Sequence, residues 1–322
     1  MSNSQFLSQC SAHTIDNAAS QLVAAHLVAF PTETVYGLGA DATNGDAIRR
    51  IYEVKGRPTD HPLIVHISSI NLLELWASEI PEYAIKLARD FWPGPLTLVL
   101  KRTIEAKDFI TGGQDSVAIR VPNHPIALAL LQSFESKGGK GVAAPSANRF
   151  GQVSPTSSRD VLLELGDYLG IGDIILNGGK CEVGIESTIV DCTYENPCIL
   201  RPGAITLAMI EKSTGLRITA VTKSNIRSSG KLEKHYAPQA KVILDEIPKV
   251  GQGFIALSYI ETPPGVIRVA APNSAEEFSQ ILYESLRQID TLGLKEVVVA
   301  QPTGEETEVG IRDRLSKAAK GR

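Results

Sequence analysis

Four cations among residues 1–205 stand where the chain is set to turn. Lys55 and Arg57 flank a glycine in Lys55-Gly56-Arg57-Pro58, Arg120 lies inside the β-branched run from Ser116 to Val121, and Arg201 precedes Pro202-Gly203. Cations at strand and helix ends suit an anion, and the guanidinium fork suits carboxylate or phosphate bidentately. One lysine at the end of a helix is explained by the helix dipole alone. A Lys-Gly-Arg-Pro turn does more, because it fixes two cations near each other. Arg120 needs a partner, since a buried unpaired charge is very costly. That partner is either a structural carboxylate or an anionic ligand.

Around these cations lie polar segments that are poor core material. Thr32, Glu33 and Thr34 follow directly on an apolar run, and His61 and His66 bracket another. Ala143-Ala144-Pro145-Ser146-Ala147-Asn148-Arg149, then Ser154 and Thr156, bring small hydroxyl and amide groups that leave room for a ligand. Glu186 and Ser187 precede the β-branched stretch 188–190. In α/β proteins ligands sit beyond strand ends, where these segments fall. The residues alone therefore read as an anion or nucleotide site in an α/β domain. The chain has no Walker A loop, no G-x-S-x-G, no H-E-x-x-H and no kinase signature. Gly37-Leu38-Gly39-Ala40-Asp41-Ala42 has the form G-x-G-x-x-A but lacks the acid expected ~20 residues later in a dinucleotide fold.

Such a site must be held by strands and helices. Strands are expected at 27–30, 63–67, 96–100, 117–121, 174–177 and 188–191, and helices at 15–25, 46–55, 82–91, 125–134 and 159–169, the last with Ser157 or Ser158 as N-cap. Residues 206–239 read as an irregular polar linker that includes Lys223, Ser224, Asn225, Ser228, Ser229 and Gly230. A second α/β pattern follows. It has strands at 241–244, 254–258, 266–270 and 296–300, and a helix opened by a Ser274/Glu277 capping box with the stripe Phe278, Ile281, Leu282, Leu286 and Ile289. A last amphipathic helix spans 309–319. Three parts result: 1–205, a linker or lid at 206–239, and a small domain at 240–322.

The 322 residues exceed what one core usually serves. A net charge of -4 argues against general affinity for nucleic acid or anionic membrane. No apolar run approaches the ~18 residues a membrane helix needs. Cys10, Cys181, Cys192 and Cys198 form no C-x-x-C pair, which favours small core or surface residues in a reducing compartment and a cytoplasmic location.

PTETVYGLG, KGRP, HPLIVHI, WPGPLTLVL, VAIRVPNH, APSAN, GIESTIVD and LRPG occur in this order, and the series closely resembles the YrdC-like family of threonylcarbamoyl-AMP synthases. The segment SSGKLEKHYAP and the small domain after it look like the long form of that family. The resemblance implies a twisted open mixed sheet with a concave positive face, plus a small Rossmann-like C-terminal domain. It implies a nucleotidyltransferase: L-threonine, bicarbonate (or carbon dioxide) and ATP give threonylcarbamoyl-AMP and pyrophosphate, for threonylcarbamoyladenosine at position 37 of tRNA. Magnesium is expected with the ATP, without direct protein ligands and without an organic cofactor. Lys55 and Arg57 are expected to be the catalytic cations, Lys55 foremost. Matching to the family motifs gives Thr34, His66, Arg120 and Ser187 to L-threonine. Arg57, His61, Ser116, Ser146, Asn148, Ser154, Arg201 and Tyr236 go to ATP, with Tyr236 reaching back from a lid that excludes water. The family commonly has asparagine where this chain has His61, which would add pH dependence. A tRNA threonylcarbamoyl transferase is the expected downstream partner. An RNA-binding or regulatory protein that uses the same basic concavity, with tRNA or double-stranded RNA as partner, is the rival reading. A carbamoyl-phosphate enzyme is another, but the zinc-finger and acylphosphatase modules of such proteins are absent.

Overall fold

A computed structural model describes residues 6–218, 226–227 and 236–321. In the larger unit the strands are β1 (Leu7–Gln9), β2 (Val28–Phe30), β3 (Gly37–Asp41), β4 (Ile64–His66), β5 (Ala77–Ser78), β6 (Leu96–Arg102), β7 (Ser116–Arg120), β8 (Val142–Ala143), β9 (Ile174–Asn177), β10 (Thr188–Asp191) and β11 (Cys198–Arg201). They form one mixed sheet in the order β1-β9-β2-β3-β8-β4-β7-β6-β10-β11, with β5 on β6. Its helices are α1 (Ala12–Val23), α2 (Gly45–Lys55), α3 (Leu73–Trp76), α4 (Glu82–Phe91), α5 (Asp108–Thr111), α6 (Pro125–Ser136), α7 (Ser158–Leu165) and α8 (Leu207–Thr214). The smaller unit has β12 (Lys241–Leu244), β13 (Gly253–Ile255), β14 (Ile267–Ala270), β15 (Glu296–Val299), α9 (Ala275–Thr291) and α10 (Thr307–Ala319). Its four strands are all parallel, in the order β12-β15-β13-β14.

Local chemistry sets the ends that matter. Asn44 caps α2 by accepting from the amides of Asp46 and Ala47, and Gly56 closes it at φ 61°, a left-handed turn that glycine adopts without strain. That turn swings the chain from Lys55 to Arg57. Ser157 and Asp160 form a reciprocal capping box on α7. On α9 the Ser274 hydroxyl accepts from the Glu277 amide, but the Glu277 carboxylate turns to the amide of Asn273, so the expected capping box is one-sided.

One other expectation changes. The span 206–239 does not begin as an irregular linker: Thr206 caps α8 and Gly215 ends it, and Ser213 donates to Asp90 of α4 at 2.7 Å. Lys223, Ser224, Asn225, Ser228, Ser229 and Gly230 lie outside the described residues. The G-x-G-x-x-A stretch is strand β3, antiparallel between β2 and β8. A Cβ at Gly39 would fall 2.7 Å from Val142 and 2.8 Å from Phe30, so glycine serves sheet packing there.

The core of the larger unit packs α2, α4 and α7 against the sheet, from Leu27 and Leu38 to Trp76, Leu98 and Ile119, and packs α1 and α6 against the alternate strand residues Val28, Phe30, Val142 and Leu176. A second core joins the two units: Val35, Val153, Ile185 and Tyr236 pack with Phe278, Leu282, Tyr283, Ile311 and Leu315. No helix among the described residues is long and apolar enough to cross a membrane.

Candidate active site

β4 and β7 are parallel neighbours in a register that sets His66 beside Arg120 at their carboxyl ends. β10 runs parallel to β6, and β11 returns antiparallel to it with Arg201 opposite Ile189. An isolated bridge ties Gly37 to Ser146. These pairings converge on a cavity enclosing about 550 Å³ of space, part of it open to solvent. The sheet and the loops beyond its strands bring Thr34, Arg57, His66, Arg120, Ser146, Ser187, Arg201 and Tyr236 to its wall.

The side that suits a carboxylate is built on Arg120. Its Nη1 donates to Thr34 Oγ1 at 2.9 Å, its Nε to the Gly94 carbonyl at 3.2 Å, and its Nη2 meets Glu33 Oε1 at 2.7 Å in a buried ion pair. The structural carboxylate partner therefore exists, and Arg120 still lines the cavity. Thr34 is fixed by Thr32 Oγ1 at 2.8 Å. His66 packs edge-on against Phe30, and its Nδ1 has no hydrogen-bond partner among the described residues. Burial, helped by the Arg120 charge, drives its pKa down to about 3, so the ring is neutral.

Ser187 Oγ shares a hydrogen with Thr97 Oγ1 at 2.7 Å and accepts from Arg201 Nη2 at 3.1 Å, while Arg201 Nε donates to the Ser187 carbonyl. Arg57 donates to the Pro62 carbonyl at 3.0 Å and lies over the Phe150 ring. Burial brings its pKa down to about 10, which leaves it charged at neutral pH.

Several expected residues stand elsewhere. Lys55, expected to lead catalysis, does not line the cavity. Its buried Nζ donates to the carbonyls of Ser146 (2.6 Å) and Asn148, so it braces the loop behind the wall. Burial, then the nearby Arg57 charge, holds its pKa well below the ordinary lysine range. Asn148 also turns away: its Nδ2 donates to the carbonyls of Arg149 and Gln152. Ser154 is buried one layer back and donates to Glu186 Oε1 at 2.6 Å. His61, stacked edge-on against Phe150, flanks Arg57, and burial lowers its pKa. Ser116 lines an adjoining small cavity with Pro62, Ile64, Gln114 and Arg227. Ile64 belongs to both.

Glu33 and Glu186 were not among the expected site residues. Their signal was available: a carboxylate set among apolar and small residues, just beyond or just before a strand, has to serve something. Glu186 lines the cavity and is held by three groups from elsewhere: Ser154, Tyr283 of α9 and Arg314 of α10. Burial alone would raise its pKa, but Arg314, then Arg201 and the Ser154 hydroxyl outweigh that and hold it at about 2.

A mixed α/β sheet with a half-enclosed cationic cavity beyond its strands defines an anion-handling α/β protein with an added parallel-sheet domain. The Sua5/YciO/YrdC family model, described as telomere recombination, matches residues 20–203, and that of the threonylcarbamoyl-AMP synthase C-terminal domain matches 205–320. The threonylcarbamoyl-AMP synthase of Pyrococcus abyssi is 41% identical over 91% of this chain and 90% of its own, and that of Bacillus subtilis 39% identical over 96% and 93%. The crystal structure of P. abyssi Sua5 complexed with L-threonine superposes with a TM-score of 0.86 at 37% identity, covering 98% of this chain and 96% of that one. E. coli YciO shares the fold of the larger unit, at a TM-score of 0.51 and 22% identity over 61% of this chain and 93% of its own. The chain belongs to the threonylcarbamoyl-AMP synthase family, in the form with the C-terminal domain.

Proposed function

We propose that the protein joins L-threonine, carbon dioxide or bicarbonate, and ATP into threonylcarbamoyl-AMP, releasing pyrophosphate. The observation that carries this reading is one cavity lined both by Arg120, Thr34, His66 and Ser187 and by Arg57, Ser146, Arg201 and Tyr236. The first group suits an amino acid: a guanidinium for the carboxylate, hydroxyls for the side chain, and a neutral imidazole that accepts or donates without adding charge. The second suits phosphates.

The threonine amine adds to carbon dioxide, loses a proton and becomes a carbamate. A carbamate oxygen then attacks the α-phosphorus. The bond from that phosphorus to the β-phosphate oxygen breaks, and pyrophosphate leaves with the electron pair. Both reactants are anions, so they meet only where fixed cations offset their repulsion. Arg57 and Arg201 serve that end, and Arg120 orients threonine. Lys55 acts by holding the carbonyls of the 146–148 loop. Tyr236 closes the cavity from the C-terminal side. Magnesium would arrive on the nucleotide phosphates, because Glu33 and Glu186 are already engaged with arginines. The product would supply threonylcarbamoyl groups to a tRNA-modifying transferase, in the cytoplasm where ATP and tRNA are at hand.

The test is pyrophosphate release with ATP, bicarbonate and magnesium, with and without L-threonine. Threonine-dependent release that collapses in Arg57→Ala supports the reading. Folded protein that binds RNA with steep salt dependence but releases no pyrophosphate would replace it with the RNA-binding one.

A further inference from the structure

The cavity has a feature that an anion site should not tolerate: a carboxylate in its wall. Glu186 lines the space beside Arg57 and Arg201. Arg120, the remaining lining cation among the described residues, is already matched by Glu33. An ionised Glu186 would thus cancel much of the positive charge that faces the phosphates. What offsets it lies behind the wall, in the other domain. Arg314, fully buried on α10, sets its Nε 2.9 Å from Glu186 Oε2 and donates from Nη2 to the Glu186 carbonyl at 3.1 Å. Its Nη1 holds the Pro202 carbonyl at 2.6 Å, next to Arg201. Asp313 Oδ2 steadies the same Nη1 at 2.9 Å, and Tyr283 of α9 donates to Glu186 Oε2 at 2.9 Å. The guanidinium lies 5.8 Å from the Tyr236 ring centre, and that ring lines the cavity. One side chain thus reaches two residues of the wall, Glu186 and Tyr236, and the Pro202 carbonyl beside a third, Arg201.

On the reading that this cavity binds ATP, we propose that Arg314 is a positioning residue supplied by the C-terminal domain: it neutralises Glu186 from behind, so that the wall presents net positive charge to the triphosphate. The domain's contribution is then electrostatic as well as mechanical. Ser154, the Glu186 partner on the nucleotide side, is held through the same carboxylate.

The proposal separates from simple bracing by a rescue. The full-length protein, Arg314→Met, Glu186→Gln, the double variant and Ser279→Ala are compared by equilibrium binding of ATP and of L-threonine. Ser279 donates to the Val183 carbonyl across the same domain contact without touching Glu186. In Arg314→Met the uncompensated carboxylate is expected to weaken ATP binding tenfold or more, with L-threonine affinity changed less. Glu186→Gln added to Arg314→Met removes that charge and should recover most of the loss, while Ser279→Ala leaves ATP affinity near that of the parent. If Arg314→Met does not fold, the double variant and Glu186→Gln still decide: the double variant should bind ATP within a few-fold of Glu186→Gln. ATP affinity unchanged in folded Arg314→Met, or a loss that Glu186→Gln does not relieve, overturns the proposal. A parent protein that binds no ATP overturns both this inference and the proposed activity. A parent that releases pyrophosphate normally beside an unaffected Arg314→Met overturns this inference alone.

Discussion

Among the described residues, the larger unit buries more than twenty polar or charged side chains, from Thr32 to Ser213, while the smaller buries Ser279, Ser285 and Arg314. Two of those three point out of their own domain: Ser279 to the Val183 carbonyl and Arg314 to Glu186. The parallel sheet of the C-terminal domain is thus an ordinary apolar layer that sends its buried charge to a neighbour. The mixed sheet instead keeps Glu33, His66, Arg120, Glu186 and Arg201 at its own strand ends. Burying polar groups is costly unless each finds a partner, so a fold that gathers so many at one place holds them for a ligand. The comparison locates the chemistry in one domain and assigns the other the task of completing its charge balance.

The larger unit should break most sharply at Arg120. Arg120→Ala leaves Glu33 buried without its partner, and losing one member of a buried pair costs about 3–5 kcal/mol. Chemical denaturation should show that loss, and Glu33→Gln in the same background should return part of it. No recovery would mean that the Arg120 contacts to Thr34 and Gly94, rather than the charge pair, hold the strand ends together.

Arg57 comes next, with its effect on rate rather than on folding. Removing one preorganised charge from a site of this kind lowers turnover about 10²–10³-fold. Arg57→Ala should therefore lose threonine-dependent pyrophosphate release while its denaturation midpoint stays close to the parent's. Unchanged release would move the phosphate contact to Arg201.

His66 tests the same region through pH. Its pKa is lowered from 6.5 to about 3 in the folded protein, chiefly by burial. Between those values the unfolded chain binds a proton that the folded one refuses. Stability therefore rises with pH across this window and is lost as pH falls below about 6.5. From pH 6.5 to pH 5 the parent should lose about 2 kcal/mol more than His66→Asn. Equal losses would show that the imidazole takes its proton inside the fold.

The sequence reading and the structure agree where a residue's place follows from its strand. His66 ends a β-branched run and Arg120 lies inside one, and the β4–β7 register then sets them side by side. Agreement fails where the direction of a long side chain decides. The pattern puts Lys55 at the end of α2, but whether its four methylenes carry the ammonium into the cavity or behind it depends on the 146–148 carbonyls, a contact spanning about ninety residues. Asn148 is the same case at shorter range. α8 was lost among polar residues because an eight-residue helix needs only a cap and a neighbour to dock on, and the neighbour, α4, is far away in sequence. Arg314 was visible as a charge on the buried stripe of Ile311, Leu315 and Ala318, but its partner Glu186 lies 128 residues earlier.

The smallest expected effect lies on the surface of the domain contact that Arg314 crosses. Lys180 Nζ meets both carboxylate oxygens of Glu284 at 2.8 Å, yet the two side chains keep 71% and 50% of their exposure. Water and salt screen such a pair, and holding two long side chains in place opposes the gain, so exposed pairs contribute roughly 0.2–1 kcal/mol. Lys180→Ala should leave ATP binding unchanged and shift the denaturation midpoint barely outside error, with the shift vanishing in high salt. The pair spans the same two domains as Arg314 and Glu186, so a domain contact held by charge at its rim would predict a large effect here. A loss of ATP affinity in Lys180→Ala as large as in Arg314→Met would mean that domain docking alone, rather than the buried charge behind Glu186, sets the site.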